Sequence, residues 1–385
     1  MYNFDEITDR YSFNSLKWEG GKDILPMWVA DMDFRAAPKI REALSRAVEH
    51  GIFGYSTIPD SWYDAYINWW KVRHNFVMER EHLAFCTGVV PAISSIVRKL
   101  TTPAEKVLIQ TPVYNIFYNS IINNGRYVLE NPLLFDGKSY SIDFDDLERK
   151  MADTQTTLMI LCNPQNPCGR IWEREELARI GELAFKYGVT IVSDEIHCDV
   201  TDPGFSYVPF ASVSDVCANN SVTCIAPTKA FNIAGINTAA VMVPNDNLRH
   251  RVVRAINTDE VAEPNAFACA AAAAAFESGD WLDEMRNYVF ENKNFATQFL
   301  KQELPQVRVA DSHATYLLWI DARQVCGNCT DLCRHLKQNA GIWVSNGEQY
   351  GAAGTGFIRM NIACPRETLK EGLNRFKKGI ETYGI

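Results

Sequence analysis

The chain has 385 residues, of which 47% are hydrophobic and 22% charged, and a formal net charge of -9. That length predicts two or three domains with enough apolar material for their cores. The acidic balance, without a basic cluster, argues against a nucleic-acid partner, and no apolar run reaches the roughly 18 residues of a membrane span. The opening "MYNFDEITDRYSF" is acidic and aromatic and lacks a basic-then-apolar signal pattern, so a cytoplasmic location is expected. Residues 1–45 are expected to pack with a smaller domain formed by the other end of the chain. From about residue 80 to 245, short apolar runs alternate with helical patterns. The strand candidates are "LAFCT" (83–87), "KVLIQ" (106–110), "RYVLE" (126–130), "TLMILC" (157–162), "VTIVS", "SVTCIA" (221–226) and "TAAVMV" (238–243). Several lack polar alternation, as strands covered on both faces should. Between them lie helical stretches such as "VPAISSIVRKL" and "REELARIGELAFKYG", the second stopping at Gly188. Strand and helix in alternation predict an α/β domain over 46–280, with a mostly parallel seven-stranded sheet flanked by helices. The "ACAAAAAAF" run at 268–276 reads as a closely packed helix. Residues 281–385 read as a smaller α+β domain: a long helix to about Glu303, strands "ATYLLWI" and "GFIRMNIA", and a C-terminal helix.

In an open α/β sheet, ligands bind beyond the carboxyl ends of the strands. The residues just past each strand are therefore the candidates for a site. After the first strand comes "TGVVPAIS", where Gly88, Val89 and Val90 open a helix whose free amides suit an anion such as phosphate. After the second comes Tyr114, after the fourth "NPQNPCGR" with Asn166, after the fifth "SDEIHCD" with Asp194 and His197. After the sixth comes Lys229, preceded by Thr228. Singly, each has a plain alternative. The lysine could be a solvated charge, the aspartate a helix cap, the histidine a structural hydrogen-bonding group and the tyrosine core. Their convergence on one sheet edge shifts the balance. A phosphate cradle, an aromatic plane, an amide, a carboxylate and an amine together suit pyridoxal 5′-phosphate. In "GFIRMNIAC", alternation sets Ile358, Met360 and Ile362 on one face and Phe357, Arg359 and Asn361 on the other. An arginine there needs an anion, and its planar fork suits a carboxylate.

The chain resembles fold-type I pyridoxal-phosphate enzymes of the aminotransferase class I/II superfamily, and within them the MalY/PatB-type carbon–sulfur lyases (cystathionine β-lyase type). The resemblance spans nearly the whole chain and rests on "LPMWVADMDF" (25–34), "FGYS" (53–56), "NPQNPCGR" (163–170), "SDEIHCD" (193–199), "APTKAFNIAG" (226–235) and "FIRMNIACP" (357–365). It implies that Lys229 joins the cofactor aldehyde and then acts as base at the substrate α-carbon. It also implies that Asp194 faces the pyridine nitrogen, that Asn166 holds the phenolic oxygen with His197 as a weaker candidate, and that Tyr114 stacks on the ring. Gly88, Val89, Val90 and Thr228 are implied to hold the phosphate. Ala30 and Arg359 are implied at the substrate, with Arg359 on its α-carboxylate. Tyr55 is implied to reach the phosphate of a neighbouring subunit, which would make the protein a homodimer with shared sites. The implied reaction is α,β-elimination of cystathionine, cysteine or other S-substituted cysteines to thiol or sulfide, pyruvate and ammonia. A class I/II aminotransferase would use the same residues. A non-catalytic regulator of this fold is opposed by the presence of lysine, aspartate and arginine together.

Two departures from the resemblance stand out: Ala226 occupies a position where many relatives have a phosphate-gripping serine, and "NIAGINTAA" lacks the arginine that aspartate-type aminotransferases carry after the lysine. Two other motifs are read as structural. The eleven cysteines are scattered and read as small buried hydrophobes of a reducing compartment, not as a disulfide framework. In "CGNCTDLC", Cys326, Cys329 and Cys333 sit at the start of a helix, lack an evident fourth ligand and are not expected to share one face, so no metal is expected. "GAAGTG" (351–356) lacks the Lys–Ser/Thr ending of a phosphate loop and reads as a flexible lead into the Arg359 strand.

Overall fold

Seven strands between residues 83 and 242 join in one sheet: β1 (Leu83–Cys86), β2 (Lys106–Thr111), β3 (Tyr127–Pro132), β4 (Thr156–Cys162), β5 (Thr190–Asp194), β6 (Ser221–Ile225) and β7 (Ala239–Met242). These come from a computed structural model that describes residues 2–384. Each corresponds to a strand expected from the sequence, and their spatial order is β1-β7-β6-β5-β4-β2-β3. All neighbours are parallel except β7, which runs antiparallel to both β1 and β6.

The period of two explains the apolar runs. Along β2, Val107 and Ile109 enter a cluster with Ile93, Ile96 and Val97 of the Val89–Leu100 helix. Leu108 enters the opposite cluster, with Leu147, Leu177 and Ile180. Both faces are therefore covered, and a strand without polar alternation is stable only when both faces are buried. The alanine run forms a helix, Ala268–Phe276, packed against helices Pro38–His50 and Asp60–His74. Its small side chains, with Ala268, Ala271, Ala272 and Ala275 fully buried, let the helix backbones approach closely.

A second sheet is antiparallel, in the order β8-β9-β11-β10: β8 (Arg308–Val309), β9 (Leu317–Asp321), β10 (Ser345–Asn346) and β11 (Phe357–Asn361). Helices Gly279–Glu303, Cys329–Asn339 and Arg366–Glu381 belong to the same part of the chain. The strand expected to begin at Ala314 begins only at Leu317. Thr315 takes a positive φ of 68°, and its N–H is drawn off to Val200 O at 2.7 Å, so the ladder starts after it. The N-terminal segment joins this part through Leu25–Pro26, which pairs in parallel with Ile342–Trp343. No helix among the described residues is long and apolar enough to cross a membrane.

The "GAAGTG" stretch is not a flexible lead. Gly347 and Gly354 approach so closely that a Cβ on Gly347 would lie 2.0 Å from Gly354 O. A Cβ on Gly351, at φ 102°, would lie 2.3 Å from the Tyr118 hydroxyl, and Val113 N–H bonds to Tyr350 O at 3.0 Å. Only glycine permits this packing, which fixes residues 345–356 against the end of β2. Gly347→Ala is expected to cost about 1–3 kcal/mol through overpacking. A thermal melt checks it: an unchanged Tm would refute the close approach.

Candidate active site

The carboxyl ends of β2, β4, β5 and β6 open, with the turn after β1, on one cavity of about 390 Å³. It lies where the sheet order switches. From β2 the chain moves outward to β3, while from β4 it moves the other way to β5, so the two connections part and leave a crevice. Tyr114 follows β2 and Asn166 follows β4, one on each side of it.

Lys229 reaches the cavity from the turn after β6, and its ammonium donates to Ala30 O at 2.7 Å. Removal from bulk water, helped by the Arg359 charge, pushes it down to about 8 against the pull of Asp31 and Asp194. Burial pushes the Asp194 carboxyl up to about 7, opposed by the Ile196 N–H, which donates to its Oδ1 at 3.1 Å, and by Lys229. His197 is driven down to about 3 by burial and then by the charges of Lys229 and Arg359, so it is neutral at pH 7. Arg359 lies on β11 on the face that alternation assigns to it, while Ile358, Met360 and Ile362 enter the core. Its Nη1 donates to Asn166 Oδ1 at 3.3 Å and its Nη2 to Trp28 O at 2.7 Å, and its guanidinium sits 5.0 Å from the Tyr350 ring centre.

A strap, residues 27–31, closes the cavity. Asn361 Nδ2 donates to Val29 O and to Asp31 O, both at 2.6 Å. Tyr316 hydroxyl donates to Ala30 O at 3.0 Å. The carbonyl over Lys229 is thus held by Tyr316, just before β9, and its neighbours in the strap by Asn361 of β11.

Gly88, Val89, Val90, Tyr114, Asn166, Asp194, His197, Thr228, Lys229, Ala30 and Arg359 all line this one cavity. Gly88 caps the Val89–Leu100 helix, and the amides of Val89 and Val90 belong to its first turn, where no intrahelical acceptor exists. Tyr55 does not line it. Its relative exposure is 103%, in a stretch from Gly51 to Pro59 without helix or strand. The sequence reading missed Trp28, Thr238, Ser345 and Tyr350, which also line the cavity. Trp28 lies inside "LPMWVADMDF", and Thr238 reads only as the start of a strand. Ser345 and Tyr350 carry no local signal, because a two-residue strand and a short 3₁₀ turn place them.

The donor set has openings for a ligand. His197 Nδ1, Thr238 Oγ1 and Arg359 Nε are buried without a hydrogen-bond partner among the described residues, and buried polar atoms normally have one. Ala226 sits in an apolar cluster and offers no hydroxyl, whereas Thr238 lines the cavity with an unpartnered one. Amine, buried carboxyl, helix-start amides and aromatic ring fit pyridoxal 5′-phosphate.

Residues 22–376 match the model of the aminotransferase class I and II family. The chain belongs to that family, and its fold is fold type I. Among curated relatives, it is 43% identical to cystathionine beta-lyase PatB of Bacillus subtilis (strain 168), over 98% of this chain and 100% of that one. Among solved structures, a PLP-bound putative aminotransferase from Clostridium difficile 630 is 38% identical with TM-score 0.96, covering 99% and 100% of the two chains. Cystalysin from Treponema denticola, solved with a pyridoxal 5′-phosphate cofactor, is 30% identical with TM-score 0.96 over 99% of each.

Proposed function

We propose that the protein is a pyridoxal-phosphate-dependent carbon–sulfur β-lyase that eliminates thiol or sulfide from S-substituted L-cysteines such as cystathionine, leaving pyruvate and ammonia. The observation that carries this is the Lys229 amine, lowered to about 8 and set in one cavity with Asp194, Asn166 and Arg359. The likeness to a cystathionine β-lyase over the full chain supports the choice of reaction.

Bound there, the cofactor supplies an electron sink conjugated to the substrate α-carbon. Lys229 would hold it covalently, Asp194 would serve its ring nitrogen, Asn166 and the neutral His197 its phenolic oxygen, and Tyr114 its ring. The amides of Val89 and Val90, with Gly88, Thr228 and Thr238, would hold its phosphate. Arg359 takes the substrate carboxylate, its planar fork already positioned by Trp28 O and Asn166 Oδ1. Lys229 Nζ removes the α-proton, which requires a neutral amine, and the lowered pKa supplies one near neutral pH. The strap, with Trp28, Val29 and Ala30, forms part of the cavity wall beside Lys229. Product analysis with cystathionine tests the reading: pyruvate must form without an added 2-oxo acid. The putative aminotransferase among the structural relatives favours a second reading, in which amino-group transfer to a 2-oxo acid is required and pyruvate is absent.

The protein is a cytoplasmic homodimer in this reading. All eleven cysteines are free thiols, as a reducing compartment keeps them. Residues 1–45 are assigned with the small domain, 281–385, and 46–280 to the large one; the pairing of Leu25–Pro26 with Ile342–Trp343 and the separate seven- and four-stranded sheets support this, while the Pro38–His50 helix spans the first boundary and packs on the large domain's Ala268–Phe276. Tyr55, flanked by exposed Ile52 and Phe53, belongs to the face covered by the second copy and reaches that copy's phosphate. Mixed dimers of Tyr55→Phe and Lys229→Ala chains check this. The site with Lys229 then receives its tyrosine from the Lys229→Ala chain, so activity should return to roughly half of wild type by counting intact sites in a two-fold interface. Fully active Tyr55→Phe homodimers, or no recovery on mixing, would refute it.

A further inference from the structure

The motif Cys326-Gly327-Asn328-Cys329 has no part in the reaction above. The structure also corrects the expectation that these thiols would not share one face. Cys326 Sγ lies 3.1 Å from Cys329 Sγ, and Cys329 and Cys333 are both buried one turn apart on the Cys329–Asn339 helix. Cys326 is partly exposed at a turn whose tip, Gly327, has no atom beyond its chain neighbours within 4 Å of where a Cβ would sit. A reagent therefore has an approach to Cys326 and only to Cys326 of the pair, since Cys329 is fully buried.

We propose that Cys326 and Cys329 are a redox-active modification site that small-molecule disulfides oxidise to a reversible intrachain disulfide, and that its state is transmitted to the cavity through Glu348. Hydrogen bonding from Cys329 holds the Cys326 thiol below its ordinary range, and the start of the helix adds a favourable field for a thiolate. The Cys326 thiolate attacks one sulfur of RS–SR. That bond breaks, a Cys326–SR mixed disulfide forms, and RS⁻ leaves with the proton that Cys326 gave up. Cys329 then attacks the Cys326 sulfur, and the second RS⁻ leaves with the Cys329 proton. One small disulfide is reduced to two thiols, and the protein pair is oxidised by two electrons.

The link to the cavity is a short chain of bonds. Cys329 N–H donates to Glu348 Oε1 at 2.7 Å, and Gly356 N–H donates to the same oxygen at 3.2 Å. Asn346 Nδ2 donates to Thr330 Oγ1 at 3.0 Å. These bonds tie the first turn of the helix to residues 345–356, which place Ser345 opposite Arg359 in the ladder and Tyr350 under its guanidinium. Glu348 Oε2 is buried without a partner among the described residues, so this carboxylate responds to any displacement of Cys329. Bond formation draws the sulfurs from 3.1 Å to about 2.05 Å.

The test incubates the cofactor-loaded protein with oxidised glutathione, then unfolds it in iodoacetamide and digests it with trypsin. The peptide from Gln324 to Arg334 contains Cys326, Cys329 and Cys333. It should carry one alkyl group instead of three, with fragmentation placing the bond between Cys326 and Cys329, and dithiothreitol should reverse it. Cys329→Ser should retain glutathione on Cys326, and Cys326→Ser should take up none in this peptide. In the cystathionine assay, oxidation should change KM at least threefold and kcat less, with no change in Cys326→Ser. Three alkyl groups after oxidation, a bond to Cys333, or no adduct in Cys329→Ser would overturn the site. A disulfide that leaves KM within twofold would overturn its link to the cavity. The mass readout is independent of the reaction proposed above.

Discussion

Lys229→Ala should lose at least about 10⁴-fold in turnover and should not retain the cofactor covalently after purification. That loss corresponds to about 5 kcal/mol of barrier. In the proposed reaction the same atom, Nζ, would both hold the cofactor and take the α-proton, and its neighbour within hydrogen-bond reach is a backbone carbonyl, Ala30 O. A carbonyl cannot replace it as base. The variant should be colourless where the wild type is yellow, and a visible absorption spectrum reads this directly. In the wild type stripped of cofactor, covalent uptake of added pyridoxal phosphate should speed up as pH rises through about 8 and then level off. The sign comes from the chemistry: only the neutral amine attacks an aldehyde, and burial lowers the pH at which it becomes neutral. A midpoint near the free-lysine value of about 10.4 would show that the ammonium is solvated. A yellow, active Lys229→Ala protein would end the assignment.

Arg359→Ala should reduce kcat/KM about tenfold to hundredfold, mostly through KM. A charge-assisted pair is worth roughly 1.5–3 kcal/mol, and losing a contact made equally in ground and transition states appears in KM. Arg359 is also a strap fastener through Trp28 O, so the variant needs a structural control. Asn361 supplies it, since its two bonds to the strap remain and should preserve the thermal melt. Arg359→Lys should recover only part of the loss, because an ammonium keeps the charge without the fork. Unchanged cystathionine kinetics in Arg359→Ala would refute the carboxylate role.

Local features were the ones legible in the sequence. Strands β1 to β7 could be read because a run such as "TLMILC" reports its burial on both faces residue by residue. The strand-end residues were legible because sheet edges collect ligands by geometry. Arg359 could be placed on its face by counting in twos. The hidden features depend on contacts between distant segments. Nothing in "TAAVMV" says that β7 runs against its neighbours. The 3.1 Å approach of Cys326 and Cys329 depends on the exact path of a turn. Likewise Gly347 and Gly354 show their purpose only when brought together, and counted alone they read as looseness. "ATYLLWI" misled because one residue with positive φ, Thr315, breaks a strand that its side chains favour.

The antiparallel strand β7 has a consequence for ligand size. It is hydrogen-bonded on one side to β1, whose end leads into the turn at Gly88, proposed above to hold the phosphate, and on the other to β6, whose end leads into the turn of Lys229. The strand ends from which the two turns depart are therefore separated by two inter-strand steps, about 10 Å, fixed by the backbone ladders, and the Lys229 side chain spans the rest. The sheet works as a caliper whose jaws cannot drift. In the proposed function, the spacing of the strands that present the phosphate turn and the lysine turn is thus a property of the backbone ladders.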